Sequence, residues 1–123
     1  MARAVWTVRL AAAAETDFRH ILRWTVEHFG AAQARVYSGT LSCALGALGA
    51  GPGIAGVKQR PDIGATIRTL HAARKGRKGR HFVMFRVHHL PQQDVIEVLR
   101  LLHDSMDLQR HMPPSAAATP GGQ

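Results

Sequence analysis

Acidic side chains, cysteine, tyrosine and long apolar runs are all scarce in these 123 residues, and each scarcity removes a class of protein. Cys43 is the single cysteine, so no disulfide closes within the chain, and a reducing cytoplasm is the expected setting. No stretch reaches the ~18 consecutive apolar residues of a membrane span, so no membrane role is expected. Arg9 and Glu15 interrupt the run that follows Arg3, and no signal-peptide core is expected either. Only 8 Asp+Glu stand against 16 Lys+Arg, a net charge of +8, with an isoelectric point near 11.3. That excess predicts an acidic partner: nucleic acid, an anionic surface or an acidic protein. The length suits one domain, whose core is viable without disulfides or metal.

Hydrophobic periodicity organises what remains. Val5-Trp-Thr-Val-Arg-Leu10 alternates and predicts a first strand. From about Ala12 the step changes to three and four residues, with Phe18, Ile21, Leu22, Val26 and Phe29 on one face of a helix. Gly30 suits its C-cap. A second helix is expected from Ala31 to about Leu48, with Tyr37, Leu41, Ala44, Leu45 and Leu48 on its apolar side. Its glycines at 39, 46 and 49 offer close packing against the first helix, at a helix-propensity cost of up to ~1 kcal/mol each. Together the two form an antiparallel helical hairpin. Residues 50–65, rich in Gly and Pro, predict a loop. Three strands follow, at Thr66–Ala72, His81–His88 and Asp94–Leu102. The last is apolar on both alternating faces, the mark of a central strand. The fold class is therefore α+β, in the order β-α-α-β-β-β. Residues 1–112 form the domain, and 113–123, Pro-Pro-Ser-Ala-Ala-Ala-Thr-Pro-Gly-Gly-Gln, predict a flexible C-terminal tail.

Charge concentrates between the helices and the last strand. Lys58, Arg60, Arg68, Arg74, Lys75, Arg77, Lys78, Arg80 and Arg86 face a single acid, Asp62, in that interval. Five of the nine fall in Arg74-Lys-Gly-Arg-Lys-Gly-Arg80, where glycines at 76 and 79 predict a thin, mobile hairpin tip. Arg74, Lys75, Arg77, Lys78, Arg80 and Arg86 are the partner-binding candidates, suited to acidic protein or a phosphate backbone. The bland alternative is a solvated basic end that discourages edge aggregation. Gly51-Pro-Gly-Ile-Ala-Gly56 fits G-x-G-x-x-G on paper, but it follows a helix and none opens after it, so it reads as a loop and not a nucleotide site. The eight histidines do not assemble a metal set by spacing: His88 and His89 point to opposite faces of a strand, and His103 with Asp107 lacks a third ligand. No metal and no cofactor is expected.

The C-terminal end carries the most specific pattern. After the last strand come His103, Met106, Asp107, Arg110 and His111, in the spacing His-x-x-Met-Asp-x-x-Arg-His. Gly79-Arg-His-Phe-Val-Met-Phe-Arg-Val87 precedes it on the neighbouring strand. These two stretches resemble the RelE/ParE superfamily of type II toxin–antitoxin toxins, in its ParE branch. Generic matches at Ala14-Glu15-x-Asp17-Phe18 with Ile21, and at Phe29-Gly30 with Ala34, extend the resemblance over about residues 3–112. It implies a fold of N-terminal strand, helical hairpin and curled antiparallel sheet. It implies a cytoplasmic toxin that inhibits DNA gyrase or a related topoisomerase by protein binding. Its cognate antitoxin would cover the sheet and helices with an acidic C-terminal segment, giving a hetero-oligomer. The C-terminal signature is then mainly structural: His103 ties down the segment, Met106 packs on the sheet, and Asp107 pairs with Arg110.

Two other classes remain open on the sequence. One is a RelE-like ribosome-dependent mRNA endonuclease, the other a non-toxic nucleic-acid-binding module. RNA scission needs a general base for the 2′-OH and cations for the phosphorane. His81, His103 and His111 are the available bases, while the one tyrosine, Tyr37, is expected on a helix core face. Many relatives have a basic residue between the signature His and Met. Here Asp104-Ser105 stands there, and a carboxylate beside a phosphate repels it. No catalytic residue is therefore assigned, and an inhibitor is preferred to an enzyme.

Overall fold

The computed structural model describes residues 6–106 and Leu108. Strand β1 (Thr7–Leu10) leads directly into helix α1 (Ala12–Phe29). The Ala11 N–H donates to the Val98 carbonyl at 2.8 Å, so strand pairing continues up to the first helical residue. Gly30, at φ 92°, forms the whole connection to helix α2 (Ala31–Ala47). Its N–H donates to the Val26 carbonyl and its own carbonyl accepts from Ala34 N–H. A residue with a Cβ is strained at that φ, which is why glycine joins the helices. A 3-10 turn (Leu48–Ala50) ends the hairpin.

Four more strands follow: β2 (Lys58–Gln59), β3 (Arg68–His71), β4 (His81–His89) and β5 (Asp94–His103). The sheet order is β1-β5-β4-β3-β2. The four later strands pair antiparallel, as expected, and β1 joins parallel to β5, so the sheet is mixed. β5 is central between β1 and β4. Opposite the Met84–Phe85 step, Arg100 and Val98 are the partners and Leu99 is the extra residue. Such a bulge shifts the side-chain alternation. It lets β5 bury Val98 and Leu101 under the helices and Leu99 and Leu102 on the other side.

Two cores result. The helix-side core joins Ala14, Leu41, Ala44 and Leu48 to Leu70, Val83, Phe85, Ile96 and Val98. On the opposite face Ile63, from the β2–β3 connection, and Leu108 cover Ile67, Met84, Leu99 and Leu102. Each fully buried aliphatic side chain contributes roughly 1.5–3 kcal/mol, so both faces of β5 hold the domain together. Asp17 ties α1 to β5, receiving Arg100 Nε at 2.7 Å, Arg100 Nη2 at 2.9 Å and the Leu101 N–H at 2.9 Å.

Three expectations need correction. The inward line of α1 runs through Ala14, Phe18, Ile21 and Thr25, so Val26, about 100° round the helix from Thr25, is 46% exposed, and Phe29 at the last helical position is 65% exposed. The glycines expected in the second helix do not serve packing on α1: Gly39 looks toward Arg77, a Cβ at Gly46 would meet nothing within 4 Å, and Gly49, in the 3-10 turn beyond α2, lies by the Trp6 carbonyl. Residues 50–65 are not wholly loop, because β2 pairs with β3 there. The Gly51–Gly56 stretch opens no helix, and Gly51 instead lets the backbone approach the Trp6 indole.

Candidate functional site

The basic hairpin between β3 and β4 lies on α2 and does not stand free as a thin tip. Arg77 N–H closes its turn onto the Arg74 carbonyl at 3.0 Å, with Lys75 at φ 53° and Gly76 at φ 82°. Lys75 thus occupies left-handed backbone, uncommon for a residue with a side chain. Three contacts dock the hairpin. The Arg80 N–H donates to the Tyr37 hydroxyl at 3.0 Å. Arg77 Nη1 donates to Thr40 Oγ1, and Arg74 Nη2 to the Ala55 carbonyl, each at 3.4 Å. Gly79 permits this approach, since a Cβ there would sit 3.1 Å from Ala72 Cβ and 3.3 Å from the Tyr37 oxygen.

The six cationic candidates divide into two groups. Arg80 reaches Asp104 at 3.4 Å, and Arg86 shares the Glu97 carboxylate with His88 at 3.0 and 2.9 Å. Their charges are partly spent within the fold. Arg74, Lys75, Arg77 and Lys78 have no carboxylate within ion-pair distance among the described residues. Those four carry the unneutralised charge.

Beside them the structure gathers a titratable cluster. Tyr37 Oη lies 2.6 Å from His81 Nδ1. His81 and His103 are cross-strand partners with rings edge-to-face at 5.3 Å. Burial first, and then the neighbouring His103, push the His81 pKa down to about 4. Burial likewise raises that of Tyr37. At neutral pH, therefore, the phenol keeps its proton and donates it to a neutral imidazole, while accepting from Arg80 N–H. His71 Nδ1 accepts from Ala73 N–H, which leaves Nε2–H to donate to Asp104 at 3.0 Å. The hydrogen bond from His71, with Arg80 nearby, holds the Asp104 carboxyl below its ordinary range. Asp104 is thus hydrogen-bonded on both oxygens and stays ionised at neutral pH.

Tyr37 has a role that its place in the sequence does not show. Its ring does sit on the helix core face, but its hydroxyl reaches a partner 44 residues away. The one available signal is that a half-buried phenol needs a partner for its O–H.

The C-terminal signature is only partly in view. His103 Nδ1 accepts from Ser105 N–H at 3.1 Å and lies 2.8 Å from Ser105 Oγ, so it does fasten the turn after β5. Met106 does not pack on the sheet: it is 44% exposed. The turn, in which Met106 N–H donates to the His103 carbonyl, carries its side chain outward, and Leu108, 5% exposed, packs beneath the sheet instead. Asp107, Arg110, His111 and the tail 113–123 lie outside the described residues.

An exposed apolar patch sits at the turn of the helical hairpin. Trp24 stacks on His28 with centroids 4.1 Å apart and packs obliquely on Phe29. Val36 on α2 is also exposed. Among the described residues, no three His, Cys, Asp or Glu stand close enough to hold a metal ion, and no helix is long and apolar enough to cross a membrane. His88 and His89 bond separately, to Glu97 and Asp94.

Residues 8–108 match the family described as ParE toxin of type II toxin-antitoxin system, parDE. The comparison with curated proteins returns no match.

Proposed function

The chain belongs to the ParE family of type II toxin–antitoxin toxins, and from that membership we propose that it arrests growth by binding DNA gyrase or a related type II topoisomerase, so that cleaved DNA persists, and that a cognate antitoxin neutralises it. The antitoxin's acidic C-terminal segment docks on the basic hairpin and the adjoining helices. The observation that supports the docking is the group Arg74, Lys75, Arg77 and Lys78, four cations on one hairpin without a counter-charge among the described residues, two of them tethered by hydrogen bonds to Ala55 and to Thr40 on α2. Their long-range field speeds association with an acidic segment, and the exposed Trp24, Phe29 and Val36 offer apolar area to a partner. Expression of the chain alone is expected to stop growth, and co-expression of the antitoxin encoded with it to restore growth. Unimpaired growth at confirmed soluble expression contradicts an active toxin.

A second reading, an mRNA endonuclease of the RelE type, draws support from Tyr37, His81 and His103. A neutral imidazole is a competent base and Arg80 a nearby cation. Its weakness is that Tyr37 and His81 already satisfy each other. An inhibitor that works by protein binding needs no free base, and remains the preferred function.

A further inference from the structure

Between α2 and the β3–β4 hairpin lies a cavity of about 300 Å³. Thr40, Cys43 and Ala47, spaced along one face of α2, form one wall. Arg74, Lys75 and Arg77 form the other. No acid lines it, and these three cations have no ion-pair partner among the described residues. The turn at Lys75 and Gly76, both at positive φ, sets the backbone of the cationic wall, and the Arg77–Thr40 and Arg74–Ala55 hydrogen bonds, each 3.4 Å, tether its two arginines. Positive φ at both Lys75 and Gly76 is what a tight two-residue hairpin turn requires, and it sets the path of the cationic wall.

We infer that this cavity is the anchoring socket for one acidic side chain of the antitoxin segment, whose carboxylate is gripped by Arg74, Lys75 and Arg77 while its chain runs along α2. The inference rests on the antitoxin docking proposed above and gives it an address. Concavity and the small neutral wall favour a single carboxylate on an aliphatic stem over a phosphodiester strand, which needs an open track of charge. Exposed Val36, one turn before Thr40 on the same helical face, continues the wall as an apolar strip for the segment's next side chain. Arg74 and Arg77 are then anchors that slow dissociation. Lys78, which does not line the cavity, acts only by steering.

Cys43 lines the socket and is the chain's only thiol, which makes it a reporter. The experiment compares Cys43 alkylation by iodoacetamide, followed by mass spectrometry, in the free toxin and in its complex with the antitoxin encoded beside it. Binding kinetics are measured alongside for Arg74→Gln/Lys75→Gln/Arg77→Gln, for Lys78→Gln and for the surface control Lys58→Gln. Expected are alkylation slowed about tenfold or more in the complex, and dissociation faster by at least about tenfold in the triple variant only. If the antitoxin does not bind the parent toxin, the docking reading and the socket fall together. If it binds while Cys43 stays as reactive and the triple variant dissociates at the parental rate, the socket alone is overturned. Protection of Cys43 by a 12-nucleotide RNA at physiological salt, in place of the antitoxin, also overturns it, in favour of nucleic acid. Should the triple variant fail to fold, protection of Cys43 in the parent decides.

Discussion

Replacing Tyr37 by Phe removes one oxygen and separates two accounts of the same cluster. The hydroxyl accepts from Arg80 N–H at 3.0 Å and reaches His81 Nδ1 at 2.6 Å. Each hydrogen bond contributes about 0.5–1.5 kcal/mol net. Arg80 is exposed and water can replace its partner, whereas the half-buried His81 nitrogen is less easily rehydrated. The expected loss is about 1–2 kcal/mol, read as a fall in Tm of roughly 4–10 °C for a domain of this size. Calorimetry at pH 7.5 measures it. Growth arrest at a temperature well below Tm should be retained, because a protein-binding inhibitor does not need the phenol's proton. An acid–base role for the Tyr37–His81 pair predicts a loss of about 10²–10⁴ in activity instead. Unchanged Tm refutes the docking role of the hydroxyl. A hundredfold loss of toxicity without a thermal effect refutes the inhibitor account.

Asp17→Ala deletes the acceptor of Arg100 and of the Leu101 N–H; a partly buried, bidentate pair predicts about 2–4 kcal/mol of destabilisation in urea titrations, and a value below 1 kcal/mol means the α1–β5 tie is not structural. Leu108→Ala should cost about 2–3 kcal/mol, and Met106→Ala less than about 0.5, because only the former is buried; the reverse order restores Met106 as the anchor. Stability should also fall with acid. His81 titrates at about 4 in the fold and near 6.5 when unfolded, so below 6.5 the unfolded chain binds the extra proton; the contribution is fully present above about pH 6.5 and is lost as pH falls toward 4. The shift corresponds to about 3 kcal/mol, reduced to about 1–2 because solvent reaches the ring, and His81→Gln should flatten the pH profile by that amount.

Strand β5 was legible because its composition dictates its place: Val95, Ile96, Val98, Leu99, Leu101 and Leu102 satisfy both faces of a central strand. The helices were legible by period, and Gly30 by the conformation a one-residue break requires. The parallel seat of β1 beside β5 was not, because pairing across some ninety residues leaves no local mark. Lys58 and Gln59 form a strand too short and too polar to show alternation. Val26 and Phe29 extend the apolar period of α1, yet the buried line passes them by. Charge at Arg74–Lys78 was plain from sequence, but its docking through Tyr37, Thr40 and Gly79 depends on contacts between distant segments. Arg80 and Arg86 looked equivalent to the others until Asp104 and Glu97 appeared beside them.

The central claim is that this toxin stops a topoisomerase by binding it and cuts no RNA. Its most direct measurement incubates the purified protein with DNA gyrase, ATP and relaxed plasmid, beside a coupled translation reaction probed for mRNA length. The account predicts lost supercoiling, accumulation of cleaved plasmid and intact message, all reversed by the antitoxin. Normal supercoiling with message cut during translation would contradict it and assign Tyr37, His81 and His103 to catalysis.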